Sequence, residues 1–273
     1  GVLIDQSAGY AGLWMPLFGR LTSSSTLAAT LSIRTGVPVL PLAMYTSGRA
    51  RWKLSIGTPV YPDGDDPELL TAEINRLLEE QIRASPADWL WGHNRWKALR
   101  PHLLFARDQR RVFLPPGFDR ANLDPFRILI VSPPGTAEAA AALPAVCAIA
   151  EGRPDTWIAV LSSSNAAAVW RNAREVQQVI EWSDSDSLAM LSSKIRASAA
   201  FDAAIFFDAN WKTAFAVWRA GVPIRVGRAG GLIGVFYNQH PPESGAAGDA
   251  VSGNLQIAHS IGANIPGAAA PAG

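Results

Sequence analysis

Two carboxylates stand where the local pattern lets them do chemistry. Asp5 follows the apolar run Val2-Leu3-Ile4, which reads as a short buried strand. It therefore falls at a strand's C-terminal end, where α/β sheets place functional groups. The plainer reading is an aspartate that closes a turn or caps a helix. Glu138 falls in the first turn of an alanine-rich helix predicted from Thr136 to Ala150. The helix dipole favours a negative charge there, so the carboxylate stays ionised and able to accept a proton. The plainer reading is an ordinary first-turn residue. Phe18-Gly19-Arg20 sets an aromatic ring and a guanidinium around a glycine. Guanidinium geometry suits phosphate, with a glycine turn and a surface arginine as the alternative. Arg95 and Lys97 close a tryptophan-rich run that begins at Trp89. The single Cys147 excludes a disulfide framework and a cysteine-built zinc site. The four histidines, His93, His102, His240 and His259, show no metal-ligand spacing.

Two globular units are predicted to position these groups. Residues 1–97 alternate strands and helices. Ser23 to Arg34 reads as a helix with a serine N-cap and Gly36 as its C-cap. Val37 to Met44 reads as a strand broken by Pro38 and Pro41, and Arg51 to Ile56 as a half-exposed strand. Pro67 to Ala84 is the clearest amphipathic helix, with Leu69, Leu70, Ile74, Leu77, Leu78 and Ile82 on one face. Residues 98–125 lack periodicity and read as a basic linker. From Arg95 to Arg120 there are seven basic residues against two acidic ones. The linker is either solvated or laid on an anionic membrane surface. From residue 126 to 262, buried strands alternate with helices: Arg127–Val131, Trp157–Leu161, Val179–Trp182, Ala203–Phe207 and Pro223–Val226. That alternation predicts a parallel sheet with right-handed crossovers. After Gly230 the periodicity fades, and the Ala/Gly/Pro stretch 263–273 reads as a disordered tail.

The chain has 273 residues, 48% of them hydrophobic and 17% charged, with a net charge of +1. It can bury real cores, and bulk charge does not make it a nucleic-acid binder. No segment reaches the roughly 18 to 20 apolar residues of a membrane span. The chain opens on Gly1 rather than Met and runs straight into a strand, which predicts a fragment.

The first unit resembles the C-terminal half of the lipid A biosynthesis late acyltransferases, the lauroyl/myristoyl transferases. The resemblance rests on Asp5-Gln6, Met15-Pro16-Leu17-Phe18-Gly19-Arg20, Val37-Pro38-Val39-Leu40-Pro41 and Trp89-Leu90-Trp91-Gly92-His93-Asn94-Arg95-Trp96-Lys97. It covers about a third of the chain, and the closing motif is its most specific part. The family pattern has Asp-Gln, Pro-Phe-Phe-Gly, Thr-Gly-x-Pro-Val-x-Pro and a final Tyr-Leu-Trp-x-His-x-Arg-Phe-Lys. The resemblance implies transfer of a fatty acyl chain from an acyl carrier protein or acyl-CoA to a hydroxyl of a lipid A precursor. It implies a place at the cytoplasmic face of the inner membrane. It makes Asp5 a substrate-positioning carboxylate, with Phe18, Gly19, Arg20, Arg95 and Lys97 on the acceptor's side. The family's base is a histidine in a His-x4-Asp/Glu motif. No histidine among residues 1–97 fits it, since Asn94 follows His93 and no acid follows five positions on. The chain alone is thus expected to be inactive in acyl transfer.

Residues 127–262 resemble the N-terminal half of the heptosyltransferases, the family 9 glycosyltransferases that extend the lipopolysaccharide core. The resemblance rests on Arg127-Ile-Leu-Ile-Val131 with Leu143-Pro144-Ala145-Val146, on Phe201 to Ala214, on Ala220-Gly221 to Gly227, and more weakly on Asn254 to Gly262. It puts Glu138 in the place of the aspartate that deprotonates the acceptor, and sets Lys212 and Arg225 near acceptor phosphates. The loop departs from the pattern at Ser132, Ala137 and Ala141. No G-x-G-x-x-G is present, and the donor lobe is expected beyond residue 262, so neither ADP-heptose nor any other cofactor is assigned. The fold class follows: a partial glycerolipid-acyltransferase-like α/β domain, then a Rossmann-like parallel α/β domain, half of a GT-B fold. The expected function is lipopolysaccharide biosynthesis. The alternatives are a decayed, silent glycosyltransferase unit and a non-catalytic α/β module that docks on a membrane or a partner.

Overall fold

Polar side chains that cap helices and rings that fill turns set the frame of this chain. A computed structural model describes residues 1–208, 210–228, 230–242 and 249–265. The chain divides into two units, one of residues 1–99 with 110–124, the other of 100–109 with the chain from 125 onward. The stretch 98–125, expected as a linker, is thus shared between the units. The expected tail lies outside the described residues from 266 on.

In the first unit, β1 (Leu13–Leu17) and β2 (Arg20–Ser24) form an antiparallel hairpin. Its two-residue turn is Phe18-Gly19, with φ of 53° and 78°. Positive φ at both positions is the turn whose twist matches the strands. Phe18 is an unusual residue there. It is held by its amide donating to Glu79 Oε1 at 2.6 Å and by its ring against Trp89 and Trp96. Residues 110–113 run along the other edge of β1: Trp14 N donates to Arg111 O and Phe113 N to Trp14 O. Helix α1 (Leu27–Thr35) ends on Gly36 at φ 70°. Strands β3 (Leu42–Gly48) and β4 (Arg51–Ile56) form a second hairpin. Helix α2 (Pro67–Ala84) has the predicted bounds. Asp66 caps it by accepting from Glu68 N and Leu69 N, and Pro67 supplies the preset φ of the first turn. Of the expected face Leu70, Ile74, Leu78 and Ile82 are buried, while Leu77 is half-buried and Leu69 exposed.

Two expectations here are corrected. Val2–Ile4 forms no strand. Ser23 and Ser24 do not cap a helix; they lie in β2, buried, and α1 starts at Leu27.

The second unit carries β5 (Phe126–Val131), β6 (Thr156–Ser163), β7 (Gln178–Trp182), β8 (Ala203–Phe206) and β9 (Ile224–Val226). They form one parallel sheet in the order β7-β6-β5-β8-β9. Crossover helices α3 (Thr136–Ala150), α4 (Ala167–Arg171), α5 (Leu188–Ser198) and α6 (Trp211–Arg219) connect the strands. Ser187 and Asn210 cap α5 and α6 with their side-chain oxygens. Buried strands with both faces covered explain the nearly continuous apolar runs. The N-cap of α3 is Gly135, not Thr136. A 3₁₀ segment (Gly231–Phe236) and α7 (Ala250–Ser260) fill a region whose sequence shows no periodicity. Among the described residues no helix is long and apolar enough to cross a membrane.

Residues 100–109 are pinned into this unit. Leu103, Leu104 and Phe105 are buried, and Leu104 N donates to Ile261 O. His102 Nδ1 contacts Asp108 at 2.8 Å, and Arg107 Nη1 reaches His102 Nε2 at 3.2 Å. Arg153 stacks over Phe105 and Phe126, at 4.4 and 4.0 Å to the ring centroids, and donates to Leu103 O.

The sheet core also holds Tyr237, whose hydroxyl meets no hydrogen-bond partner among the described residues. Burial, then the charge of Asp208, pushes its phenol up to about 12. The folded state therefore holds this proton more tightly than the unfolded chain. The contribution is intact below about pH 10 and drains away as the pH rises towards 12, a loss on the order of 2–3 kcal/mol. Tyr237→Phe is expected to remove that alkaline loss, and to gain up to about 1 kcal/mol at pH 7 by deleting an unpaired buried hydroxyl. Urea midpoints measured from pH 7 to 11 check both; an unchanged alkaline slope in the variant refutes the assignment.

Candidate functional site

In the first unit the segment 1–5, α1, residues 37–45 and α2 enclose a cavity of about 640 Å³. Its wall is mostly apolar, with Ile4, Leu31, Leu42, Leu77 and Leu78 among the liners. Asp5 stands half-buried at the wall, with Asp88 and Ser85 as further polar groups. Asp88 accepts from Thr46 N and from Ser85 Oγ, and these bonds hold its carboxyl below the usual range. Tyr45 OH donates to Gln81 O, which ties β3 to α2 along the cavity.

The site residues expected in this unit divide. Asp5 lies at the cavity. Phe18 is not among the cavity liners; its ring packs with Trp96 and with Trp89, which does line the cavity, and Arg83 lies 4.9 Å from its centroid. Trp96 Nε1 donates to Leu17 O, so the closing motif is stitched to the hairpin turn. Gly19 is required by its positive φ, and Arg20 is half-buried at the start of β2. Lys97 is exposed. Arg95 departs from the expectation of a phosphate contact. It is fully buried, donating to Thr22 Oγ1 (2.8 Å), Ser24 Oγ (2.9 Å) and the carbonyl of Ser23. Burial pushes its guanidinium down to about 10, opposed by the charge of Asp5. It therefore stays cationic at neutral pH and serves β2 rather than solvent. The cavity itself, built by Tyr45, Gln81 and Asp88 as well as Asp5, was not legible: no motif joins residues 40 positions apart.

In the second unit the strand order reverses between β5 and β8, and the crevice of such a sheet opens there, beyond the strands' C-terminal ends. The loop after β5 is Ser132-Pro133-Pro134-Gly135. Trp170 Nε1 donates to Ser132 Oγ, Ser163 Oγ to Pro134 O, and Thr136 Oγ1 to Asn165 O, so the loops after β5 and β6 are locked together. Glu138 is exposed on the first turn of α3, at this end of the sheet. Its carboxylate folds back over Gly135, where a Cβ would meet Oε2 at 2.0 Å. Lys212 Nζ donates to Asp184 O at 2.8 Å and lies 5.6 Å from the Trp182 ring centroid. It fastens α6 to the loop after β7. Arg225 donates to Phe236 O and Val222 O, and burial lowers its pKa. Cys147 is half-buried on α3; burial, then the charge of Glu175, pushes its thiol up.

Over residues 1–98 the chain matches the family of bacterial lipid A biosynthesis acyltransferases. No curated protein matches it. Among solved structures it is similar to a family 9 glycosyl transferase from Veillonella parvula, at 16% identity and TM-score 0.46, covering 52% of this chain and 42% of that one. It is also similar to the E. coli heptosyltransferase WaaC with ADP-2-deoxy-2-fluoro heptose, at 21% identity and TM-score 0.44, covering 52% and 50%. A third neighbour is E. coli ADP-heptose lps heptosyltransferase II, at 19% identity and TM-score 0.44, covering 48% and 40%. The chain thus spans half or less of the length of each. Residues 1–98 match the bacterial lipid A biosynthesis acyltransferase family, and the chain joins that segment to a five-stranded parallel α/β unit.

Proposed function

We propose that this chain works in lipopolysaccharide assembly, with its first unit forming the acyl-chain side of a lipid A acyltransferase site. The observation that carries the reading is the apolar cavity of about 640 Å³, built within the family-matched residues and bearing Asp5 on its wall. That volume lies within the roughly 300–1,000 Å³ of small-molecule sites. Its lining suits a saturated chain, and Asp5 would orient the polar end of the acceptor. The donor is an acyl carrier protein or acyl-CoA thioester, and the acceptor a lipid A precursor at the inner-membrane surface. Residues 1–97 supply no His-x4-Asp/Glu base, so the chain binds the acyl group without transferring it.

The second unit supplies an acceptor-side lobe of a glycosyl transferase. Glu138 accepts the proton of the acceptor hydroxyl, and Lys212 stands beside the same crevice. The non-catalytic reading draws on one observation: the Glu138 carboxylate is folded over Gly135 at the helix end. A docking lobe needs nothing more of it.

Dodecanoate displacement of a fluorescent fatty-acid probe tests the first unit. The chain is expected to bind at micromolar concentration, and Leu77→Glu, which sets a charge on the cavity wall, to weaken binding at least tenfold. Equal binding by Leu77→Glu and the parent chain would refute the acyl-chain reading.

A further inference from the structure

The second unit bears an apolar ridge that its own core does not explain. Trp211, Phe215 and Trp218 recur at i, i+4 and i+7, so they form one stripe of α6. Phe215 and Trp218 join Phe236 of the 3₁₀ segment, with centroids 5.5, 5.7 and 6.2 Å apart. In a 3₁₀ helix, side chains three apart eclipse one another. Ile233 and Phe236 therefore share one line, which packs on the sheet core. Leu232 and Val235 share another line, which points away: they are 88% and 73% exposed. Trp211 and Trp218 are 58% and 49% exposed. Soluble surfaces rarely gather such side chains without a partner.

The ridge's own segments carry cations between flanking acids at Asp186, Asp202, Asp208 and Glu243. Residues 209–242 contain Lys212, Arg219, Arg225 and Arg228 and no aspartate or glutamate. Residues 187–201, which include α5 beside α6, contain Lys194 and Arg196 and again no acid. Arg196 donates to Arg219 O, which sets these two cations at the same edge. Asp186 holds Lys194, and the charge of Asp208 reaches Tyr237. Arg196 and Arg219 are exposed. Tryptophan at the rim, aliphatic side chains beyond it and exposed arginines are what an anionic bilayer surface selects.

We infer that the α6–3₁₀ ridge docks the second unit on an anionic phospholipid surface, with Leu232 and Val235 entering the headgroup layer and Arg196 and Arg219 on lipid phosphates. The inference rests on the membrane-surface part of the function proposed above, but not on acyl transfer. The exposed face of the β3–β4 hairpin is the weaker candidate, because Leu42 and Met44 already line the cavity of the first unit.

Co-sedimentation of the full chain with vesicles tests it, comparing phosphatidylcholine alone with phosphatidylcholine containing a third phosphatidylglycerol. Binding is expected only to the anionic vesicles and is expected to weaken with salt. Leu232→Asp/Val235→Asp should reduce it more than tenfold with the melting temperature unchanged, since neither side chain is packed. Arg196→Gln/Arg219→Gln should reduce it by roughly fivefold for each charge removed. Three results overturn the inference: no binding to either vesicle, salt-insensitive binding to both, or binding lost in Trp52→Asp/Leu54→Asp on the hairpin and kept in Leu232→Asp/Val235→Asp. A concentration-dependent doubling of mass that Leu232→Asp/Val235→Asp abolishes, without vesicle binding, assigns the ridge to a second copy and also overturns it. Failure of dodecanoate binding would refute the acyl-site reading and leave this result standing.

Discussion

Asp155→Ala is expected to destabilise the second unit by about 3–5 kcal/mol. Arg153 and Asp155 form a buried bidentate pair, Nε to Oδ1 at 2.6 Å and Nη2 to Oδ2 at 2.8 Å, with both side chains almost wholly inaccessible. Removing the carboxylate takes the bidentate partner from a buried guanidinium that also contacts Leu103 O and the Phe105 and Phe126 rings. The pair as a whole is another matter. Both charges were desolvated to form it, so exchanging both for apolar residues is far milder than breaking it. Arg153→Met/Asp155→Leu should recover most of the loss. A urea series on the three proteins, followed by a signal from the sheet core, gives the comparison. A single-variant loss below about 1 kcal/mol would show that water reaches the pair. Because Arg153 also holds Leu103 O, Asp155→Ala should expose residues 100–109 to protease before the sheet unfolds.

That pair marks where the sequence was legible and where it was not. Helix α2 was readable to the residue: Asp66 and Pro67 start it, and the apolar spacing over its length has one period. The parallel sheet was readable for a related reason, since β5, β6 and β8 are nearly unbroken apolar runs that alternate with helices. The β1–β2 hairpin was not. Pro16 argues against a strand, Phe18 hides a turn usually marked by asparagine or glycine, and Thr22-Ser23-Ser24 look like a helix cap. They are buried because Arg95 reaches them from 71–73 positions away. Helix α7 carries Ser252-Gly253-Asn254, weak helix formers, and is held by packing on α3. Residues 98–125 looked like a linker because their basic residues are the visible part. Leu103-Leu104-Phe105 decides where residues 100–109 go. Of the candidate site, Asp5 was singled out at the end of a strand that does not form, and it stands instead on the cavity wall. The role of Arg95 was not legible, because the same run of residues fits a solvated cation and a buried one equally well.

Arg95→Ala is the second large effect, a loss of about 3–5 kcal/mol from the first unit. Two contributions add. The void left by a fully buried side chain of this size is the larger. The other is the loss of three charge-assisted hydrogen bonds to β2. The acceptors are not all stranded. Thr22 Oγ1 still donates to Arg95 O, Ser23 O still accepts from Ala8 N, and Ser24 Oγ still accepts from Asn75 Nδ2. Arg95→Met refills most of the void and removes a buried cation whose own Nε meets no partner among the described residues. Its cost should fall to about 1–2 kcal/mol, and the difference between the two variants measures packing. Equal losses in Ala and Met would instead show that charge on β2 dominates.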